Sequence, residues 1–84
     1  MPKALLDFMG YKFFFWSNEE KRIHVHVAKG NPRENSTKFW ITRENVELSF
    51  NDGTIPDSDL RKIQKYIWAN RDTIIARWVE HFGI

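Results

Sequence analysis

Cysteine is absent from the 84 residues. Disulfides and thiolate metal sites are thereby excluded, and a reducing compartment suits such a chain. Glycine occurs four times and proline three. No repeat, linker or low-complexity tract is visible. There is no dinucleotide fingerprint, and Lys29–Asn35, which holds Gly30 and Pro32, lacks the glycine spacing of a phosphate loop. No stretch approaches the roughly 20 apolar residues that span a bilayer. The opening run Met1-Pro2-Lys3-Ala4-Leu5-Leu6 meets Asp7 too early for a secretory core. The expectation is a cytoplasmic protein without membrane contact. A strong excess of one charge is missing as well: 13 Lys and Arg face 11 Asp and Glu, for a net +2. That mixed surface permits a polyanionic partner without demanding one.

What is present is an apolar share of 42%, including aromatics at 15%. One domain of this length buries about 60% of its unfolded surface, so a partner or a second copy would add needed stability. Four runs rich in aromatic and β-branched residues read as strands: Tyr11–Trp16, Arg22–Ala28, Lys38–Thr42 and Val46–Phe50. The polar stretch Ser17–Lys21, the loop Gly30–Ser36 and the connection Arg43–Asn45 separate them. Asn51-Asp52-Gly53 ends the last run. Connections this short favour an antiparallel meander.

After Pro56 the period changes. Leu60, Ile63 and Ile67 make one helical stripe; Ile74, Ile75, Trp78, Val79 and Phe82 make another. Asp57 or Ser58 is the expected first cap, Asn70 or Asp72 the break, and Gly83 the stop. A single helix over 57–82 competes with two. The fold class is α+β: a four-stranded antiparallel β-meander followed by two C-terminal helices packed on one sheet face.

Alternation assigns the faces. Ile23, Val25 and Val27 point one way, as do Val46, Leu48 and Phe50, and these supply the surface for the helices. The opposite face then carries Phe14, Trp16, Trp40, His24, His26, Lys12 and Lys38. Such an aromatic, cationic surface has three readings. The segment with Leu5, Leu6, Phe8 and Met9 folds over it, a second copy covers it, or it is a platform for a ligand such as single-stranded RNA.

The order of an aromatic strand, His24-Val25-His26-Val27, Lys38-Phe39-Trp40-Ile41, Val46-Glu47-Leu48 and a turn ending in Gly53 resembles the bacterial domain of unknown function family DUF4160. The tail from Leu60-Arg61-Lys62-Ile63 through Ile74-Ile75 to Trp78-Val79-Glu80-His81-Phe82-Gly83 extends the likeness over nearly the whole chain. Where that family commonly has prolines ahead of the paired histidines, this chain has Lys21, Arg22 and Ile23. The resemblance implies a small bacterial cytoplasmic protein, in a family sometimes found beside toxin–antitoxin genes, and implies no activity.

His24 and His26 lie two apart on one strand, so both imidazoles share a side. A zinc site would need a third ligand, for which Glu19, Glu20, Glu47 and His81 are the available donors, none at a diagnostic spacing. As acid and base the pair would suit RNA cleavage, with Lys12, Lys38 or Arg22 holding phosphate. The competing structural reading makes them cross-strand partners of Trp16 and Trp40. His81 reads as structural, and the basic helix face of Arg61, Lys62 and Lys65, with Arg71 nearby, as a solvated surface. No cofactor is expected. Two functions follow: a non-enzymatic protein-interaction module, binding a partner or itself, or an RNA-binding protein or ribonuclease.

Overall fold

Alternating apolar runs joined by short turns become a meander here, because each strand meets the next as soon as the chain reverses. The computed structural model describes residues 3–15, 22–30, 36–51 and 54–83, with side chains from Leu6 onward. Its elements are β1 (Lys3–Phe8), β2 (Tyr11–Phe15), β3 (His24–Lys29), β4 (Thr37–Ile41), β5 (Val46–Phe50), α1 (Asp57–Ala69) and α2 (Arg71–Phe82). The strands lie in the order β1-β2-β3-β4-β5, and every neighbouring pair is antiparallel.

The sheet thus has one strand more than the sequence pattern predicts. Residues 3–8 pair along β2, with a register shift between Ala4 and Leu6. Leu6 and Phe8 then face the helices, and the Phe8 ring stacks on Tyr66 of α1 at 4.1 Å. They do not fold over the opposite face, which corrects that expectation for these two side chains. Met9 (φ 55) and Gly10 (φ 83) make the two-residue turn into β2. Positive φ at both centres is the signature of the type I′ hairpin.

Tyr11, Phe13, Phe15, Val25, Val27, Phe39, Ile41 and Val46 form the buried helix-side face of the sheet. Leu60, Ile63 and Ile67 of α1 and Ile74 and Trp78 of α2 close the core over it. Asn70 separates the helices, and its side chain bonds back to the Tyr66 carbonyl at 2.9 Å. Gly83 ends α2 at φ 68. Pro56 rather than Asp57 or Ser58 stands at the N-cap of α1; its ring has no oxygen to cap with, and its carbonyl receives the Leu60 amide at 2.9 Å. Val79, expected in the apolar stripe, is exposed at the rim of α2.

A second register shift reshapes β5. Ile41 pairs with Val46, Trp40 with Glu47 and Phe39 with Leu48, but Lys38 pairs with Phe50. One extra residue, Ser49, is thus inserted opposite the Lys38–Phe39 step, and a bulge reverses parity beyond it. Phe50 therefore shares the outer face with Lys38 instead of joining Val46 and Leu48.

Candidate functional site

The outer face is organised as rows across the sheet. One row runs Phe14, His26, Lys38, Phe50, and a shorter one runs His24, Trp40, Glu47. Burial is graded along the first row. Phe14 is fully buried, His26 is 5% exposed and Phe50 is 50% exposed. Phe14 and both histidines are therefore closed off, and the exposed aromatic of this face among the described residues lies toward β5. Lys12 is exposed on β2, and Trp16 lies outside the described residues.

The two imidazoles sit in an aromatic nest. His26 stacks on Phe14 at 5.6 Å, and His24 meets His26 edge-on at 5.2 Å. His24 also contacts Trp40 at 5.3 Å and Trp78 of α2 at 4.8 Å. Trp78 simultaneously packs edge-on against Phe15 at 5.1 Å. His24 therefore does not turn fully away from the helices. It is the first residue of β3, at the end of the sheet, where α2 reaches it. Its Nδ1 lies 2.7 Å from the Arg22 carbonyl oxygen. A carbonyl only accepts, so Nδ1 carries the proton. Among the described residues no three His, Asp or Glu side chains converge as metal ligands.

Trp40 is half-buried and carries cations. The Arg22 guanidinium lies 4.4 Å and the Lys38 ammonium 4.2 Å from its ring centre. Arg22 also faces Glu47 at 3.5 Å, a solvated pair worth little by itself. Of the outer-face residues singled out by sequence, the structure thus brings together His24, His26, Phe14, Trp40 and Lys38. Lys12 lies two residues from Phe14 on β2, opposite Ala28, and is not in that cluster.

A groove of about 420 Å³ lies elsewhere, between the start of β5 and α1, lined by Glu44, Asn45, Val46, Arg61, Gln64, Lys65 and Trp68. Gln64 donates its amide to the Val46 carbonyl and so ties helix to strand. Arg71 stacks its guanidinium 3.9 Å from the Trp68 ring and donates to the Trp68 carbonyl at 2.7 Å. The sequence carries a signal for this groove. Arg61, Lys65 and Trp68 fall at i, i+4 and i+7, one helix face, off the Leu60–Ile63–Ile67 stripe. A large aromatic outside the apolar stripe, flanked by cations, is the trace this groove leaves in the sequence.

The edge beside the groove is apolar on both sides. Leu48 is 44% exposed on the helix side, and Phe50 is half-exposed on the outer side. Thr42 N–H bonds Asn45 C=O at 2.9 Å and closes the β4–β5 hairpin. Antiparallel alternation then makes Ile41–Val46 and Phe39–Leu48 the pairs whose backbone groups point away from each other. The Gln64 bond to Val46 agrees with this. The Leu48 N–H and C=O accordingly point away from β4, to the side of β5 where no further strand pairs among the described residues.

No curated protein and no solved structure matches the chain. The family model for a domain of unknown function, DUF4160, matches residues 10–79, from the turn before β2 through most of α2, and this chain belongs to that family.

Proposed function

We propose that the domain is a non-enzymatic protein-interaction module that receives its partner along β5. One observation carries the reading. An edge strand presents Leu48 on one side, Phe50 on the other and an outward-pointing backbone between them. Exposed apolar side chains beside open backbone donors and acceptors are what strand-adding partners use. The burial of His24 and His26 supports the non-enzymatic part, since a general acid and base must reach the reacting atoms. Within this reading the protein works in the cytoplasm of a bacterium, as one member of a pair of the toxin–antitoxin kind.

Photo-crosslinking tests the proposal. A benzoylphenylalanine placed at Phe50 or Leu48, with Glu80 on α2 as control position, should yield a discrete protein adduct in cells. An adduct to a second copy would identify a homodimer. Absence of any protein adduct at both β5 positions, or the same adducts at Glu80 as at β5, would remove the proposal.

A second reading, RNA binding, is favoured by Arg22 and Lys38 stacked on Trp40. It uses Arg22, Lys38 and Trp40, and it predicts binding of a labelled oligonucleotide that weakens steeply with salt. Nuclease-sensitive adducts at Phe50 would favour it over the first.

A further inference from the structure

Three features converge at the groove between α1 and β5. Its apolar lining comes from Val46 and the Trp68 ring. Its charged lining is two cations, Arg61 and Lys65, against one anion, Glu44. Neither cation has an ion-pair partner among the described residues. An exposed apolar side chain also stands beside the groove. Leu48 lies two residues beyond buried Val46 on the same helix side of β5 and is 44% exposed.

We infer that this groove binds an acidic, extended peptide segment of the partner. Apolar side chains of the segment lie on Trp68 and Leu48, and its carboxylates meet Arg61 and Lys65. The inference rests on the interaction-module reading and specifies its chemistry. Charge complementarity selects an anionic occupant. Arg71 reinforces it, because its guanidinium is held against Trp68 by both ring and carbonyl and adds a third cation behind the aromatic wall. Exposed Leu48, beside the groove and outside its lining, selects a chain molecule over a compact one, since a free nucleotide would fill the groove and leave Leu48 uncovered. Gln64 fixes the depth: its amide already occupies the Val46 carbonyl, so backbone pairing by the segment falls at Leu48 and not at Val46.

The test uses the whole chain and two fluorescein-labelled short peptides, one alternating glutamate with leucine and one alternating lysine with leucine, followed by polarisation. The acidic peptide should bind at least about tenfold tighter at low salt, with the preference shrinking as salt rises. Arg61→Glu with Lys65→Glu, both on exposed positions, should reverse that preference while leaving the circular dichroism spectrum unchanged. Leu48→Ser should weaken the acidic peptide without changing its preference over the basic one. Equal binding of both peptides, or a preference untouched by the double reversal, would overturn the inference. So would displacement of the acidic peptide by ATP at equimolar concentration. Should crosslinks at Leu48 and Phe50 persist in those cases, the interaction surface stands and only the acidic assignment falls.

Discussion

The Tyr11 hydroxyl donates a 2.8 Å hydrogen bond to Asp59 Oδ2 and so ties β2 to the first turn of α1. Burial, then the bond to Asp59 and its negative charge, push the phenol up to about 12 from 10.0. The unfolded chain therefore loses this proton first as pH rises. Below about pH 10 the contribution is complete; it is lost as pH climbs through the folded value near 12. In urea melts, wild type minus Tyr11→Phe should be constant up to about pH 10 and shrink above it. At neutral pH the variant should lose about 2 kcal/mol, the range of a bond to a charged acceptor. A difference that stays flat to pH 12 would contradict the assignment.

Strand β5 offers three apolar residues with two fates. Val46 is in the core, whereas Leu48 and Phe50 are exposed. Val46→Ala should cost about 2 kcal/mol. Leu48→Lys and Phe50→Lys should each change folding stability by under about 0.5 kcal/mol. Denaturant titration of the three variants checks the contrast, and a large loss in Phe50→Lys would place that ring inside.

Trp78 joins the core to the histidine nest through Phe15, His24 and Phe82. Trp78→Ala should cost about 3–5 kcal/mol, a large share of what holds so small a domain together. Its buried indole N–H has no hydrogen-bond partner among the described residues. Trp78→Phe therefore forfeits volume but no hydrogen bond, and should cost only about 1–2 kcal/mol. Equal losses in the two variants would contradict this.

His24 has a fixed tautomer if its Nδ1–H bond to Arg22 C=O holds. Nitrogen-15 spectra of the labelled protein near neutral pH should show a protonated Nδ1 for this ring. A bare Nδ1 with protonated Nε2 would contradict the geometry.

Met9 occupies a left-handed position at φ 55, where an ordinary side chain costs about 1–2 kcal/mol. Asparagine is at home ahead of glycine in a type I′ turn. Met9→Asn should stabilise the domain by about 0.5–1 kcal/mol in thermal or urea melts. A destabilising result would show that the Met9 side chain contributes more than its exposure suggests.

Much of the architecture was legible from residue periodicity. Val25 and Val27 inward, the Leu60–Ile63–Ile67 stripe, the break at Asn70 and the stop at Gly83 all follow from spacing. Both sheet misreadings trace to one cause. A bulge inserts a single residue and breaks the period of two, so Lys3–Phe8 does not alternate and Phe50 changes face. Nothing local marks such an insertion. The burial of His24 escaped for a different reason: it depends on where α2 crosses the end of the sheet, and strand parity carries no information about that. The α1–β5 groove was readable in part, since Arg61, Lys65 and Trp68 share a helical face, but β5 had to be placed beside them before it became a groove.

Strand order equal to chain order has a consequence for synthesis. Each hairpin closes over a short span, so the ribosome can deliver the sheet strand by strand, without waiting for a distant segment. The helices emerge last. Until they do, Tyr11, Phe13, Phe15, Val25, Val27 and Phe39 form a bare greasy wall on the nascent chain. The exposed interval for this protein lasts until residues 57–82 have left the ribosome and packed on that wall.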